Sequence, residues 1–423
     1  MSEFTRKSRR SFLARLISAG LIAGAVLLVS ARGTASVSSA AESARSIDSL
    51  ASPAGPGSAE PSLAVGPDGR VYMSWLEPAD SGYALRFATL TATRWSAPRT
   101  IRVGRDFFVN WADFPSIEVL DGGQLAVHWL QRSGSSTYAY GVRVAQSRDG
   151  GVTWTSPVIP HRDSTQQEHG FVAMWRENGK LGAVWLDGRK FAKDGHDMSN
   201  EMMLMTTTIA PDGTRGTETQ LDGRTCDCCQ NAAAVTSKGP IIAYRNRSTE
   251  EIRDIYVTRR VDGAWIGGRS VHDDNWKIAA CPVNGPAIAA NGSTVVFAWF
   301  TAANDTARVN VAFSSDAGAS FGAPIRVDGG NPAGRVDVAL LPDASALVTW
   351  IERGGGDTAA VQVRRVQRNK SASAVTTVAA SSAARASGFP RMAVTGEHVV
   401  FAWTMPGKPS AVRVARAPLD KLR

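Results

Sequence analysis

Five polar stretches between residues 161 and 284 hold the side chains best suited to chemistry. Four of the six histidines and all four cysteines lie in them. Carboxylates in such stretches can act as acid and base, and arginines can hold an anionic group through paired hydrogen bonds. The stretches cover residues 161–169, 187–197, 224–229, 245–254 and 272–284.

Within these stretches we predict a catalytic group and a substrate-binding group. The catalytic candidates are Asp163, Glu168, His169 and Asp187. The substrate-binding candidates are Arg189, Arg245, Arg247, Glu251, Arg253 and Asp254. Further ionisable groups in the same stretch as Asp187 are Asp194, His196 and Asp197. The alternative is a network of salt bridges that holds long loops together, since structural ion pairs also gather ionisable residues.

The four cysteines fall in two of these stretches, as Cys226, Cys228 and Cys229, and then Cys281. An oxidising compartment favours disulfides, and we expect Cys281 to join one of the three clustered thiols. The first alternative is a soft-metal site for copper or zinc, and the second is a set of free thiols. The histidines that could complete a metal site are His161, His169 and His196. The sequence favours no cofactor.

One recurring pattern predicts the elements that must position these residues. It consists of a short strand, a tight turn and an alternating strand that ends in an aromatic residue. The aromatic residue stands at positions 75, 129, 185, 244, 299, 350 and 403, at spacings of 51 to 59 residues. Further alternating strands follow, with no helical periodicity between them. We therefore predict an all-β fold, a β-propeller of four-stranded antiparallel blades, with seven blades favoured over six.

The ends of the chain and the connections between strands complete this prediction. The seventh repeat supplies only three strands, so we expect segment 46–60 to add the outer strand of that blade. The recurring Trp should wedge between adjacent blades. In a propeller, the connections from strand two to three and from strand four to the next blade emerge on one face. The polar stretches are such connections, which predicts a site near the central axis on that face.

Two copies of an Asp box, S-x-D-x-G-x-T/S-aromatic, lie between strands three and four of their blades. The Asp carboxylate caps turn amides, the Gly takes a positive φ and the aromatic residue packs inward, so the box is a structural device. The first copy contains Ser147, Asp149, Gly151, Thr153 and Trp154, and the second contains Ser314, Asp316, Gly318 and Phe321.

With these boxes the chain resembles the sialidase (neuraminidase) superfamily of Asp-box, or BNR-repeat, propellers, over residues 46–423. The resemblance implies a protein that binds or hydrolyses glycans and, if it is an enzyme, a glycoside hydrolase of the exo-α-sialidase type. The enzymes of that superfamily use an arginine triad, an acidic Asp and a Tyr/Glu nucleophile pair. This sequence lacks the Phe/Tyr-Arg-Ile-Pro motif of the first arginine, and Tyr244 occupies a structural aromatic position. The alternatives are a non-catalytic propeller that binds an envelope protein and a metal-binding propeller.

Residues 1–40 have the pattern of a removable signal peptide, which leaves 41–423 for the propeller. The segment Ser8-Arg9-Arg10-Ser11-Phe12-Leu13 resembles a twin-arginine signal, and it predicts a periplasmic or secreted protein. Six basic residues and one acidic residue precede residue 41, so the net charge of +9 falls to +4 without them. No basic block remains, which excludes a dedicated nucleic-acid binder. We expect a monomer that binds a glycan, a glycoconjugate or an envelope protein. Its contact with a membrane is expected only through the signal segment.

Overall fold

The computed structural model describes residues 47–191 and 201–423. The predicted signal peptide, Asp194, His196 and Asp197 lie outside the described residues. The propeller falls within one unit, Ser43–Arg423. In the described part of the chain, no helix has the length and apolar character that a membrane span requires. The helices there are short 3₁₀ turns at Asp121–Gly123, Ala303–Asp305, Arg385–Ser387 and Leu419–Leu422.

The described residues form seven antiparallel sheets, which are the predicted blades. The first strand of the chain, β1 (Asp48–Leu50), belongs to the last blade. Blade 1 contains β2 (Ala59–Val65), β3 (Val71–Ala79), β4 (Gly82–Thr91), β5 (Arg94–Trp95) and β6 (Arg99–Gly104), and both β5 and β6 pair with β4. Blade 2 contains β7 (Ser116–Val119), β8 (Leu125–Arg132) and β9 (Tyr140–Ser147), and an isolated bridge from Val144 to Val158 stands where a fourth strand would be.

Blades 3 to 6 each have four strands that pair in chain order. Blade 3 contains β10 (His169–Glu177), β11 (Lys180–Asp187), β12 (Met202–Ile209) and β13 (Thr219–Thr225). Blade 4 contains β14 (Ala232–Thr236), β15 (Gly239–Arg245), β16 (Ile255–Val261) and β17 (Ala264–Ser270). Blade 5 contains β18 (Ala287–Asn291), β19 (Thr294–Thr301), β20 (Arg308–Ser314) and β21 (Ile325–Arg326). Blade 6 contains β22 (Pro332–Leu340), β23 (Ala346–Arg353), β24 (Thr358–Val366) and β25 (Thr376–Ser382).

Blade 7 is built from both ends of the described chain. It contains β26 (Arg391–Thr395), β27 (His398–Met405) and β28 (Ala411–Pro418), and β1 pairs with β28 as the outer strand. The inner strands of successive blades contact one another, and β26 contacts β2, so the seven blades close into a ring. The prediction that segment 46–60 completes the last blade is confirmed.

The core consists of apolar layers between neighbouring blades. Trp75, Trp185, Trp299 and Trp350 are at most 1% exposed. Trp75 packs with Val400 and Val414 of blade 7, which confirms that the recurring Trp wedges between blades. Because each side of a blade is apolar, only a neighbouring blade can remove it from water.

Several of these tryptophans donate their indole N–H to an acidic residue two positions later. Three such pairs end the second strands of blades 1, 3 and 6. The Nε1 to carboxylate distances are 2.7 Å for Trp75 and Glu77, 2.8 Å for Trp185 and Asp187, and 2.6 Å for Trp350 and Glu352. The pairing satisfies a polar group that ring closure would otherwise bury without a partner.

The two Asp boxes tie each hairpin to the preceding blade. Asp149 accepts hydrogen bonds from the N–H groups of Val152 and Thr153, both at 2.9 Å. Gly151 has φ +85°, and a Cβ there would lie 2.4 Å from Phe87 Cζ in blade 1. Hydrogen bonds, first from the Thr153 side chain, hold the pKa of the Asp149 carboxyl well below its usual range. These contacts indicate that the Asp box stabilises its hairpin.

The indole–carboxylate pair gives the first prediction, because Trp129 provides a matched control. Trp129 is 2% exposed, and its Nε1 has no hydrogen-bond partner among the described residues. Trp350→Phe should lower the free energy of unfolding by about 1–3 kcal/mol more than Trp129→Phe, since only the former removes a donor from a part-buried carboxylate. Urea denaturation followed by circular dichroism measures both losses. Equal losses would contradict a role for the indole hydrogen bond.

Candidate functional site

A cavity of about 190 Å³ lies among the connections of the predicted face. Its walls come from the connections that enter blades 2, 3, 4, 5 and 7, and from the connection within blade 2. The polar and aromatic residues that line it are Asn110, Trp111, Tyr138, Tyr140, Glu168, Phe171, Asp227, Cys228, Cys281 and Arg385. The predicted gathering of polar connections on one face therefore produces a pocket, although most of its lining residues are not those that the sequence singled out.

Two buried carboxyl groups meet at the hydroxyl of Tyr140. Its oxygen lies 2.8 Å from Asp113 Oδ2 and 2.6 Å from Glu168 Oε1. A phenol has one proton to donate, so it cannot donate to both carboxyls at once. At least one of the two acids must therefore be protonated and donate to the Tyr140 oxygen.

The environment of both acids favours this proton. Burial raises the pKa of Asp113 to about 7. Burial also raises the pKa of Glu168 well above its usual range, against the lowering effect of the Tyr140 hydrogen bond. A third buried carboxyl near Asp113 is Glu60, whose pKa is likewise raised, chiefly by burial. Acids of this kind keep a proton at neutral pH and can deliver it to a leaving group.

Gly170 makes the close approach of these groups sterically feasible. A Cβ at Gly170 would lie 1.9 Å from Asp113 Oδ2 and 2.9 Å from the Tyr140 oxygen, so a side chain has no room there. The next residue, Phe171, has φ +53° and donates its N–H to Asp113 Oδ1 at 2.7 Å. Asp113 thus fixes the bend at which the inner strand of blade 3 begins.

The predicted catalytic residues other than Glu168 lie in a separate ion-pair network outside the cavity lining. Asp163 Oδ2 lies 3.1 Å from His161 Nδ1 and 2.9 Å from His169 Nε2, and the two imidazole rings stack at 3.8 Å. Burial opposes ionisation of Asp163, but the hydrogen bonds from both histidines hold its pKa well below its usual range. The network braces the connection into blade 3.

Asp187 is held within the same network by Arg189 and Trp185. Arg189 donates to both of its carboxylate oxygens at 2.7 and 2.6 Å, and also to Glu218 at 2.6 Å. Asp187 is fully buried, and its position two residues after Trp185 matches that of Glu77 and Glu352 in their blades. Its contacts are therefore those of the recurring indole–carboxylate pair.

The remaining substrate-binding candidates are also engaged with protein groups. Arg245 is 2% exposed and donates to the carbonyl oxygens of Asn284, Arg253 and Phe300. Glu251 accepts from Arg247 at 2.7 Å and from Arg253 at 2.9 Å. Asp254 accepts from the N–H groups of Asn275 and Trp276 at 2.8 and 3.0 Å. These residues join connections to one another.

The four cysteines are free thiols in this structure, and the predicted disulfide between Cys281 and one of the clustered cysteines is not formed in it. Cys226 Sγ lies 3.2 Å from Cys229 Sγ and 3.7 Å from Cys228 Sγ, whereas a disulfide requires about 2.05 Å. The exposed Cys281 lies beside Asp227, with Sγ 3.7 Å from Oδ1, and its Sγ is within 4.8 Å of Cys228 Sγ, so these two thiols are near each other but not bonded.

Donor atoms that could hold a metal ion form three groups among the described residues. One is Cys226, Cys228 and Cys229, the second is Asp227, Cys228 and Cys281, and the third is His161, Asp163 and His169. No such group combines a histidine with a cysteine, so the predicted completion of a thiolate site by His161 or His169 is not found in the described part of the chain. Burial opposes ionisation of Cys226, but hydrogen bonds from the neighbouring thiols and the charge of Arg253 hold its pKa well below its usual range.

Solved structures share this propeller architecture. The phage phi92 endosialidase matches with a TM-score of 0.50 and 11% identity, over 88% of this chain and 69% of that chain. A protein of unknown function from Dyadobacter fermentans matches with a TM-score of 0.49 and 15% identity, over 88% and 98%. NanB sialidase from Streptococcus pneumoniae matches with a TM-score of 0.45 and 12% identity, over 89% and 71%. No protein-family profile and no curated protein matches the chain. At these identities the likeness to sialidases is one of fold, as the Asp boxes predicted.

Sequence reasoning missed Asp113 and Tyr140, the two partners of Glu168. Tyr140 begins a third strand, where an aromatic residue looks like part of the core. Asp113 lies just before the inner strand of blade 2, as Glu168 lies just before that of blade 3. This shared position before an inner strand is the sequence signal that relates Asp113 to Glu168.

The ion-pair network gives a second prediction, on stability. Arg189→Met should lower the free energy of unfolding by about 3 kcal/mol, because the fully buried Asp187 loses its nearest cation and keeps, among the described residues, only His169 as an ion-pair partner, whose Nε2 lies 3.5 Å from Oδ1. The value is at the lower end for buried pairs, since Arg189 is 23% exposed. The matched control is Arg70→Met, which removes an exposed pair with Asp68 and should leave the urea midpoint unchanged. An unchanged midpoint for Arg189→Met would instead favour a substrate-binding role.

Proposed function

We propose that the cavity beside Glu168 binds a glycan and cleaves a glycosidic bond in it. The observation that carries the proposal is the Asp113–Tyr140–Glu168 hydrogen-bonded group, which holds a protonated carboxyl at the wall of a pocket. The phage phi92 protein that shares the fold is an endosialidase, which supports a glycan as the ligand class.

Glu168 is the general acid of this proposal. Glycoside cleavage requires a carboxylic acid that protonates the leaving oxygen and a second carboxylate that stabilises positive charge on the sugar or activates water. Glu168 lines the cavity, and its buried surroundings retain the proton. Asp113 acts through Tyr140 and positions Glu168, and it does not line the cavity.

Asp227 is the second carboxylate. It lines the same cavity as Glu168, and its Oδ1 lies 3.5 Å from Arg253 Nη1. A carboxylate beside a buried guanidinium is held in one orientation. The pair therefore differs in environment, one acid in apolar and hydroxyl surroundings and the other beside a cation, which is the arrangement that separates an acid from a base.

Aromatic residues and a single arginine suggest the kind of sugar. Trp111 and Tyr138 line the pocket, and Tyr138, which is 42% exposed, offers ring surface to a saccharide. Arg385 is the one arginine among the described lining residues. Because the described part of this lining contains no group of three arginines, we propose a glycan whose binding needs fewer arginine contacts than the binding of a sialic acid does.

The third prediction concerns Glu168. Glu168→Gln should lower kcat/KM by at least about 100-fold, because an amide cannot transfer the proton. Wild-type activity should also fall as the pH rises through the raised pKa of Glu168, since the acid form is the active one. The measurement is hydrolysis of a panel of fluorogenic glycosides that includes sialosides and neutral sugars.

The control for this experiment is Asp121→Asn, in a hairpin turn on the opposite face, which should retain full activity. Absence of turnover on every glycoside, together with no binding on a saccharide array, would overturn the proposal. Saccharide binding without turnover would overturn only the catalytic part and leave a glycan-binding propeller.

We further propose that the protein acts outside the cytoplasm, on the basis of the twin-arginine-like segment at residues 8–13. Changing both Arg9 and Arg10 to Lys should leave the precursor in the cytoplasm, because the twin-arginine pathway reads this pair. Cell fractionation and immunoblotting measure the distribution, with Arg6→Lys as the matched control. Unchanged export of the double variant would indicate an ordinary secretory signal.

A further inference from the structure

Three of the cysteines form a compact sulfur group at one wall of the cavity. The sulfurs of Cys226, Cys228 and Cys229 all lie within 4.8 Å of one another, with separations of 3.2 and 3.7 Å from Cys226. Three sulfurs bound to one ion at about 2.3 Å would lie about 3.7–4.0 Å apart. The three thiols therefore surround a common point, and holding an ion there requires shifts of about a few tenths of an ångström.

The turn that carries these thiols is fixed on both sides by other blades. The Cys226 N–H donates to the Arg245 carbonyl at 3.0 Å. After the turn, Gln230 Nε2 donates to the Ala112 carbonyl and Asn231 Nδ2 to the Phe171 carbonyl at 2.9 Å. The framework thus places the sulfurs together before any ligand arrives, which lowers the cost of binding.

Positive charge lies against the sulfur group. Arg253 Nη1 donates to Cys226 Sγ at 3.3 Å, and the Arg253 side chain is fully buried. Cys226 and Cys229 are 0 and 1% exposed. A buried guanidinium balances part of the charge that thiolate ligands bring into the protein interior.

We propose that Cys226, Cys228 and Cys229 bind one Cu(I) ion. Thiolates select soft ions, and Cu(I) and Zn(II) are the two that such ligands commonly hold. Structural Zn(II) takes four ligands, whereas this group contains three sulfurs and no nitrogen or oxygen donor among the described residues. The fourth thiol, Cys281, belongs instead to the group with Asp227 and Cys228.

The second group provides a route for the ion. Cys281 is exposed, and Cys228 is a member of both groups and lines the cavity. An ion captured at Cys281 can therefore pass through Cys228 to the buried sulfurs. None of the three proposed copper ligands belongs to the proposed acid pair, Glu168 and Asp227, although Arg253 contacts both Cys226 and Asp227. Copper binding and glycan cleavage are therefore measured separately.

The test is a titration of the reduced full chain with Cu(I) under anaerobic conditions, against the chelator bathocuproine disulfonate. We expect one copper per chain to survive desalting and an equimolar amount of Zn(II) to leave it in place. Cys226→Ser and Cys229→Ser should each weaken Cu(I) binding by at least about 100-fold. Cys281→Ser is the matched control and should keep the affinity within about threefold of the wild type.

A second measurement on the wild type covers the case in which a variant fails to fold. Copper loading should slow the reaction of iodoacetamide with Cys228, the partly exposed member of the group, relative to the copper-free chain and leave Cys281 reactive, as read by peptide mass spectrometry. Failure of the reduced chain to retain copper, displacement of copper by Zn(II), or protection of Cys281 in place of Cys228 would each overturn the proposal.

Discussion

Burial of both faces of every blade is the constraint on which the rest of this structure depends. A four-stranded sheet with two apolar faces is stable only when a neighbour covers each face. The tryptophans at the ends of the second strands fill the layers between blades, and several of them bind a carboxylate two residues later. Once this ring is closed, the strands have little conformational freedom left, and the long polar connections hold the candidate functional residues.

The connections of one face contain two kinds of buried carboxyl. Asp187 and Glu251 form salt bridges with arginines, and these salt bridges join one connection to another. Asp113 and Glu168 instead share the hydroxyl of Tyr140, and burial raises the pKa of both. The ion-paired carboxylates stabilise the loops, whereas the carboxyls that share Tyr140 keep a proton next to a cavity. Counting ionisable residues cannot separate these kinds, because the difference lies in the partner.

The fold could be predicted from the sequence because its signal is local and repeated. The spacing of seven aromatic residues favours seven blades over six, and the three strands of the last repeat imply closure by the first segment. A further local signal was overlooked: Trp75-Leu76-Glu77, Trp185-Leu186-Asp187 and Trp350-Ile351-Glu352 mark Asp187 as one of a structural series.

The candidate site was predicted less well, for a physical reason. Glu168 was identified because it lies in a polar connection, but its partners Asp113 and Tyr140 come from two other elements and meet only through the curvature of the ring. The cysteines show the same limit. Their composition suggested a disulfide, and the distance between Cys281 and the clustered thiols depends on how two inter-blade turns approach each other in space.

The pairing of β1 with β28 has a consequence for how this molecule comes to exist. Residues near position 50 and near position 415 are neighbours in one sheet, so their contact spans almost the whole polypeptide. Such distant contacts slow folding, since the entropy cost of joining the two segments is offset only by the contacts that form in the final sheet. A ribosome-bound chain therefore leaves the first blade uncovered on one side until β28 has been synthesised, and damage to β1 or to β28 destabilises the other strand.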